Sequence, residues 1–168
     1  MIIIGHQGIG KSSIAKHASG YIDLESGNFW VDGKRDDQWY IPYCNIAVHL
    51  SEQGYWVFTA SHEVIRKQLR SSTEQKLIVC PAPKLKDAWI RRLDERYKRT
   101  QLEKDHKAMM NAKHRYTENI QELLDEEGYE KLIIDSIPFD LKEVVEKKFF
   151  DMQAPSTAIL IGEDKRNP

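Results

Sequence analysis

The chain has almost no net charge, few cysteines and no long apolar run. Among its 168 residues, 25 lysines and arginines nearly balance 26 aspartates and glutamates, which gives a formal net charge of −1. No overall field therefore attracts nucleic acid or an anionic membrane. No apolar run approaches a membrane span, and residues 1–4 are too few for the apolar region of a signal peptide. We expect a single-domain cytoplasmic protein without a membrane partner.

The sequence also lacks patterns that mark several common classes of protein. Its two cysteines, Cys44 and Cys80, are far apart and show no C-x-x-C spacing, so we expect buried free thiols. The Asn-Lys-x-Asp pattern of guanine recognition is absent, which argues against a GTPase switch. Residues 132–135 (LIID) resemble the acidic strand of a motor ATPase, but they come late in the chain and no catalytic glutamate follows them. We interpret them as the last core strand, with Asp135 turning into the next helix.

The most informative motif lies near the amino terminus. Residues 5–12 read GHQGIGKS, which fits G-x-x-x-x-G-K-[ST] at every fixed position. The preceding apolar residues 1–4 predict a buried parallel strand, and residues 11–19 predict a helix. This strand–turn–helix context favours a nucleoside triphosphate site in which backbone amides converge on the polyphosphate. The alternative is a glycine-rich turn with an incidental lysine.

Each part of this loop has an expected role. Lys11 is expected to reach the β- and γ-phosphates, and the Ser12 hydroxyl is expected to ligate Mg²⁺. The residues predicted to bind the nucleotide within the loop and the first helical turn are Gly8, Ile9, Gly10, Lys11, Ser12 and Ser13.

Strand-like apolar runs alternate with helical patterns along the rest of the chain. Strands are predicted at residues 1–5, 21–24, 55–60, 76–80 and 129–135, with a further short strand at 158–161. Helices are predicted at residues 11–19, 37–53, 62–70, 85–99 and 108–127. This alternation predicts a three-layer α/β/α P-loop fold with a parallel five-stranded sheet and a helical lid. Continuous apolar runs at 77–80 and 132–134 predict strands buried on both faces.

The region 84–128 is strongly charged and too long for one ordinary globular helix. Its apolar residues become sparse between 100 and 107, which favours two helices joined by an exposed polar segment. A mobile lid would lie there, at about residues 92–112. The alternative is one long, solvated helix stabilised by salt bridges.

An acidic pair follows the second predicted strand. Asp23 and Glu25 are two residues apart, so they point to the same side of a strand, near the edge where open α/β sheets bind ligands. A carboxylate there can hold Mg²⁺ or accept a proton from an attacking hydroxyl group. Asp23 is the first choice for the base or the metal contact, and Glu25 is the second. The alternative is an acidic strand end without a role.

Arginines recur on one side of the helix predicted at 85–99. Arg92, Arg96 and Arg99 have the spacing i, i+4 and i+7, and a stripe of guanidinium groups fits an anionic ligand. In phosphoryl transfer, arginines placed over the triphosphate neutralise charge on the transferring group. The alternative is a solvated helix face with local salt bridges.

The predicted acceptor segment, at about residues 26–53, is rich in aromatic and charged residues. Phe29 and Trp30 could stack on a planar ring, and Arg35 could bind a phosphate through two parallel hydrogen bonds. Ser61 and His62, at the end of the third strand, also fall on the ligand edge. The alternatives are that the aromatic rings belong to the core and that His62 only begins a helix.

The order of P-loop, acidic second strand, aromatic segment and R-L-x-x-R helix resembles the small P-loop kinases, namely the nucleoside monophosphate kinases with their gluconate- and shikimate-type relatives. Residues 92–96 (RLDER) resemble the lid arginines of that group. Residues 23–25 (DLE) are similar to the D-x-D of shikimate-type kinases, with Glu25 in place of the second aspartate. Residues 23–29 (DLESGNF) look most like phage-encoded (deoxy)nucleotide kinase-like proteins.

This resemblance covers about residues 1–135 and implies Mg²⁺-dependent transfer of the γ-phosphoryl group of ATP to a (deoxy)nucleoside monophosphate or a similar small acceptor. The loop would hold the donor, while Arg92 and Arg96 would close over it. Asp23 would orient or deprotonate the acceptor, and Arg35 would grip an acceptor phosphate.

Two other functions remain open at this point. The acceptor could be a DNA end or a hydroxymethylated pyrimidine in DNA, with a basic groove formed by Lys84, Lys86, Lys98, Arg99, Lys104 and Lys107. The protein could instead be an ATP-gated switch or an ATPase, with residues 84–127 as its interaction surface.

Overall fold

Five apolar segments pair as parallel strands in the computed structural model, which describes residues 1–153. The strands are β1 (Ile2–Gly5), β2 (Tyr21–Asp23), β3 (Trp56–Thr59), β4 (Lys76–Pro81) and β5 (Glu130–Ile134). Six α-helices lie in this part of the chain: α1 (Lys11–His17), α2 (Tyr40–Glu52), α3 (Glu63–Leu69), α4 (Lys86–Thr100), α5 (Glu103–Asp125) and α6 (Leu141–Gln153). The α/β class and the five-stranded parallel sheet are confirmed, and the strand expected at 158–161 lies outside the described residues.

The strand order in the sheet is β2-β3-β1-β4-β5, which makes β1 the central strand. Ile4 pairs with Thr59 of β3 on one side and with Ile78 of β4 on the other. Every residue of β1 is buried, as its apolar, β-branched sequence predicts. Because all five strands are parallel, their carboxyl ends share one edge of the sheet. The segments that follow β1, β2 and β3 therefore meet at that edge.

Helices cover both faces of this sheet. With this strand order, the right-handed rule for crossovers between parallel strands assigns α1 to one face and α2, α3 and α5 to the other, and α2 and α3 contact each other. The last helix, α6, contacts α1, and its Glu146 accepts a hydrogen bond of 2.8 Å from the Tyr21 hydroxyl group of β2. The central strands are consequently enclosed between two helical layers, and the edge where their carboxyl ends meet is open to a ligand.

Burial along β4 agrees with the sequence, whereas burial along β5 does not. Residues 77–80 are fully buried, and both cysteines are buried free thiols, as predicted. In β5, Ile134 is 4% exposed but Ile133 is 46% exposed. The prediction that residues 132–134 are buried on both faces is therefore wrong. The reason is that β5 is an edge strand, and α5 packs against its neighbour β4.

The charged region 84–128 forms two helices, as predicted, but they are joined by residues 101–102 alone. Gln101 has a positive φ of 54°, which ends α4. The next helix begins at Glu103, earlier than the predicted residue 108. Asp105 explains this early start, because it is the buried residue of the first turn and accepts a hydrogen bond of 2.5 Å from Thr100.

The helix α2 begins later than predicted, at Tyr40 rather than at residue 37. The Asp36 carboxylate accepts a hydrogen bond of 2.7 Å from the backbone N–H of Gln38. This local turn competes with the helix and delays its first turn.

Candidate functional site

The loop between β1 and α1 turns back sharply at the carboxyl end of the central strand. Gly8 and Gly10 have positive φ angles of 87° and 105°, which L side chains rarely adopt. Between them, Ile9 is 1% exposed and anchors the loop in the core. The predicted strand, glycine turn and helix are thus adjacent in space, and the loop faces the open edge of the sheet.

The backbone amides of this loop are available to a ligand. Within residues 1–153, no backbone N–H from Gln7 to Ser12 makes a well-aligned hydrogen bond to a protein acceptor. The next two, from Ser13 and Ile14, both donate to the Gly10 carbonyl. Consecutive N–H groups around a tight turn form a concavity that binds anions. The loop is therefore suited to a phosphate chain.

Lys11 adds a positive charge inside the loop. Its Nζ donates to the Gly5 carbonyl at 2.9 Å and to the His6 carbonyl at 3.4 Å. Burial lowers the pKa of Lys11, and the carboxylates of Asp23 and Glu25 oppose this effect. The ammonium group is thus held at the end of β1, beside the amides that would contact a polyphosphate.

The side chains of Ser12 and Asp23 meet across this site. The Ser12 hydroxyl donates to the Asp23 carboxylate at 2.5 Å. Burial raises the pKa of Asp23, while the Ser12 hydrogen bond and Lys11 lower it. A hydroxyl and a carboxylate are oxygen ligands of the type that Mg²⁺ takes from a protein, with phosphate oxygens and water completing its octahedron. The residues present therefore fit a magnesium ion that accompanies a nucleotide.

A cavity of about 1110 Å³ lies over the loop and extends to α4 and α5. Its basic residues outnumber its acidic residues. The basic side chains are Lys11, Lys16, Arg92, Arg96, Arg99, Lys104 and Lys107, and the acidic ones are Asp23, Glu25, Glu95 and Asp105. Clefts with an excess of one charge concentrate ligands of the opposite charge. We call this space the P-loop cavity.

Two arginines of α4 line this cavity, and they differ in their partners. Arg96 forms an ion pair of 2.9 Å with the buried Asp105 carboxylate, so its charge is partly neutralised and its position is fixed. Arg92 donates through Nε to the Gly8 carbonyl at 3.3 Å. Its guanidinium carbon lies 5.3 Å from the centroid of the Phe139 ring. Arg92 forms no ion pair with a carboxylate of residues 1–153, so it brings a positive charge directly beside the loop.

The segment predicted as a lid contacts both the loop and the acidic pair. Gln7 donates through its side chain to the Ala108 carbonyl at 3.2 Å. Lys104 lies 3.6 Å from the Glu25 carboxylate, and both side chains are well exposed. These contacts hold the start of α5 across the P-loop cavity.

The aromatic segment lines a second cavity, of about 760 Å³. Its walls include Phe29, Arg35 and Trp39. The Arg35 guanidinium carbon lies 3.7 Å from the centroid of a Trp39 ring, and Nη2 donates to the Ser26 carbonyl. The Nε atom of Arg35 is buried and has no hydrogen-bond partner among the described residues. We call this space the aromatic cavity.

His62 and Ser26 each contact a residue of the aromatic cavity. Both line the P-loop cavity, while the Trp39 ring, 5.8 Å from the His62 ring, lines the aromatic cavity. Burial and the nearby cations Arg35 and Lys11 lower the pKa of His62, so its imidazole is neutral at pH 7.

Tyr43 joins two loops at the carboxyl edge of the sheet. Its hydroxyl donates to the Leu24 carbonyl at 2.7 Å and accepts from the Ala60 backbone N–H at 2.9 Å. The side chain thereby joins the segments that follow β2 and β3.

The structure gathers most of the predicted site residues around one space. Those that line the P-loop cavity are Gly8, Gly10, Lys11, Ser12, Ser13, Asp23, Glu25, His62, Arg92 and Arg96. Phe29 and Arg35 line the aromatic cavity instead, and Trp30 is 55% exposed with its ring 5.2 Å from the Arg35 guanidinium. Ser61 contributes its carbonyl to Arg66, a buried residue that pairs with Glu126.

Sequence reasoning missed several residues that build the site. Trp89 donates to the Gln7 carbonyl, and Asp105 holds Arg96. An isolated tryptophan or aspartate in a charged helix carries no signal of such a contact. The only available hint is that Trp89 is a large apolar residue within a segment that is otherwise strongly charged.

Replacing Gly8 by alanine is expected to destabilise the loop. A Cβ atom there would lie 2.8 Å from Leu93 Cδ2 and 3.2 Å from Trp89 Nε1, and φ is positive. We expect the free energy of unfolding to fall by about 1–3 kcal/mol, measured by urea denaturation. Gly27→Ala is the matched control, because a Cβ atom there has no neighbour within 4 Å. Equal stability of the two variants would contradict the close packing of α4 on the loop.

Within residues 1–153, no helix is both long and apolar enough to cross a membrane. In the same part of the chain, no three His, Cys, Asp or Glu side chains gather into a metal site of their own.

No model of a known protein family matches the chain, and a search of curated proteins finds no relative. Its function is therefore inferred from the residues of the site.

Proposed function

We propose that this protein is a P-loop kinase that transfers the γ-phosphoryl group of ATP, with Mg²⁺, to a (deoxy)nucleoside monophosphate. One observation carries the proposal. A run of loop amides and the Lys11 ammonium lie together at the end of the central strand, facing a large cavity rich in basic side chains. This combination binds phosphate chains through backbone N–H groups and a point charge.

The residues around the loop can support phosphoryl transfer. An oxygen of the acceptor forms a new bond to the γ-phosphorus while the bond to the β–γ bridging oxygen breaks, and ADP leaves with that electron pair. Arg92 and Arg96 line the P-loop cavity, and in this proposal they neutralise charge on the transferring group. Ser12 and Asp23 would hold Mg²⁺, which supplies further charge neutralisation when bound. A phosphate acceptor has no proton to lose, whereas a hydroxyl acceptor would give its proton to Asp23.

The aromatic cavity supports an acceptor that carries a planar ring. Its Trp39 ring lies 5.8 Å from the ring of His62, and its Arg35 donates to the Ser26 carbonyl; His62 and Ser26 both line the P-loop cavity. Trp39 offers an aromatic wall, and the unpartnered Nε–H of Arg35 offers a donor to a ring oxygen or a phosphate. Together these features fit a nucleobase better than a small sugar.

The basic groove that a nucleic acid would need is only partly assembled. Arg99, Lys104 and Lys107 line the P-loop cavity, but the other three predicted residues do not. Lys104 also pairs with Glu25, and Lys107 with Glu103 at 2.6 Å. We therefore propose a small-molecule acceptor, and we include DNA among the acceptors to be tested.

The test begins with calorimetry of ATP and GTP in millimolar Mg²⁺, followed by measurement of ADP release with added acceptors. The acceptors are deoxynucleoside and ribonucleoside monophosphates, nucleosides, sugars and single-stranded DNA with and without modified pyrimidines. We expect ATP binding and ADP release that depends on one of the monophosphates. Folded protein that binds neither nucleotide would overturn the proposal. Transfer of the phosphoryl group to DNA would show that the acceptor is DNA and not a monophosphate. ADP release without any acceptor would favour an ATPase or a switch.

Arg35→Gln is expected to weaken binding of the phosphoryl acceptor without affecting binding of ATP. The substitution removes the donor group that borders the aromatic cavity, so KM for the acceptor should rise about 10-fold or more. KM for ATP should change by less than about 2-fold, because Arg35 does not line the P-loop cavity. Steady-state kinetics with each substrate varied in turn measures both values. Arg115→Gln, at an exposed arginine of α5, is the control. A rise in KM for ATP alone would place Arg35 in the donor site instead.

A further inference from the structure

The helix α4 is bonded directly to the backbone of the P-loop. The indole N–H of Trp89 donates to the Gln7 carbonyl at 3.1 Å, and Nε of Arg92 donates to the Gly8 carbonyl at 3.3 Å. Two successive carbonyl groups of the loop are thus held from the same helix. The approach is close, since a Cβ atom on Gly8 would lie 3.2 Å from the indole nitrogen.

These hydrogen bonds determine where the neighbouring N–H groups point. The peptide bonds of the loop are trans, since the only cis bond within residues 1–153 is Ile137–Pro138. In a trans peptide, the carbonyl oxygen and the following N–H point in opposite directions from one rigid plane. A donor that holds the Gln7 carbonyl toward α4 therefore turns the Gly8 N–H away from α4. The Arg92 contact does the same for the N–H of Ile9.

The indole of Trp89 is itself rigidly placed. It is fully buried, and its ring stacks on Phe139 with a centroid distance of 6.0 Å and an interplanar angle of 11°. The ring centroid of His6 lies 6.4 Å away on the loop side. Because this packing already fixes the indole, little conformational entropy is lost when its N–H group forms a hydrogen bond to the loop. Trp89 is better suited to fix a peptide plane than a flexible side chain would be.

We propose that Trp89 is a positioning residue for the donor site, whose indole N–H fixes the Gln7–Gly8 peptide so that the Gly8 amide faces the bound phosphate chain. This inference rests on the proposed function. Its ligand is the polyphosphate part of the nucleotide, because the residue acts on a backbone amide and not on the base or the acceptor. The effect should therefore extend to any linear triphosphate.

The test compares Trp89→Phe with the wild-type protein, using two probes, MgATP and inorganic tripolyphosphate. Phenylalanine keeps an aromatic ring on Phe139 but removes the N–H donor. We expect calorimetry to show about 5-fold to 10-fold weaker binding of both probes. We also expect the ¹⁵N–¹H resonance of the Gly8 amide to shift in the ligand-free variant, which a loss of global stability alone would not cause. Trp56→Phe is the matched control, because Trp56 packs on Tyr21 and Phe149 away from the loop.

A second variant separates the hydrogen bond from the packing of the ring. Benzothienylalanine at position 89 has nearly the shape of tryptophan, with sulfur in place of the N–H group, and it serves if Trp89→Phe does not fold. The same losses with this analogue would support the proposal. Unchanged affinity for both probes, with an unshifted Gly8 amide, would overturn it. A wild-type protein that binds neither probe would overturn the proposed function instead, whatever the Gly8 resonance shows.

Discussion

Replacing Lys11 by alanine is expected to lower kcat/KM for phosphoryl transfer from ATP by about 10³-fold or more. Lys11 is the only ammonium group that lies inside the loop, with Nζ 2.9 Å from the Gly5 carbonyl, among the residues that the structure describes. Without it, the β- and γ-phosphates would meet backbone amides but no point charge. Affinity for MgATP should also fall, because the ground state uses the same charge. A coupled assay of ADP release and calorimetry with MgATP measure the two effects.

Lys67→Ala provides the matched control for this variant. Lys67 is an exposed lysine of α3 that pairs with Glu63 on the same helix, so its removal should leave transfer unchanged. Urea denaturation of both variants shows whether Lys11→Ala is folded. A folded Lys11→Ala protein with wild-type activity would remove the P-loop from the mechanism.

The P-loop could be predicted from the sequence because all its parts are close together in the chain. The strand, the turn at Gly8 and Gly10 and the helix that begins at Lys11 occupy one continuous segment. Glycine is needed at the two positive φ angles, so the motif itself reports the backbone conformation. The meeting of Ser12 and Asp23 followed from a second general rule, that the ends of parallel strands share one edge.

Contacts that depend on how distant elements pack could not be predicted in the same way. Trp89 and Gln7 are 82 positions apart, and their hydrogen bond depends on where α4 crosses the end of the sheet. The exposure of Ile133 depends on the strand order, which places β5 at an edge. The apolar pattern of residues 132–134 is the same whether a strand is central or not. Periodicity identifies the strand but not its neighbours.

The position of Arg35 shows the same limit within the site. Its sequence neighbourhood suggested a side chain that grips an acceptor phosphate. The guanidinium stacks on Trp39 and donates to the Ser26 carbonyl, two contacts that the sequence did not predict. A cation–π contact between residues four apart in a non-helical segment has no periodic signal.

Asp23→Asn is expected to lower kcat by about 10²–10³-fold, while the affinity for MgATP changes by less than about 3-fold. Asparagine keeps the size of the side chain and can still accept the hydrogen bond from Ser12, which is 2.5 Å long in the wild-type protein. It loses the charge that would hold Mg²⁺ or take a proton. Asp151→Asn, at an exposed residue of α6, is the control. Equal losses in kcat and in ATP affinity would assign Asp23 a structural role.

The dependence on Mg²⁺ and pH then distinguishes the two roles of Asp23. If the carboxylate holds the metal, the Mg²⁺ concentration that gives half-maximal rate should be higher for the variant than for the wild type. If the carboxylate is the base, that Mg²⁺ concentration should be the same for both proteins. Burial raises the pKa of Asp23, so the ionised form is lost at a higher pH than for an ordinary aspartate. The acid limb of kcat/KM in the wild type should therefore lie at a higher pH than the pKa of an ordinary aspartate and disappear in Asp23→Asn. An acid limb that persists in the variant would show that a different group must be ionised for transfer.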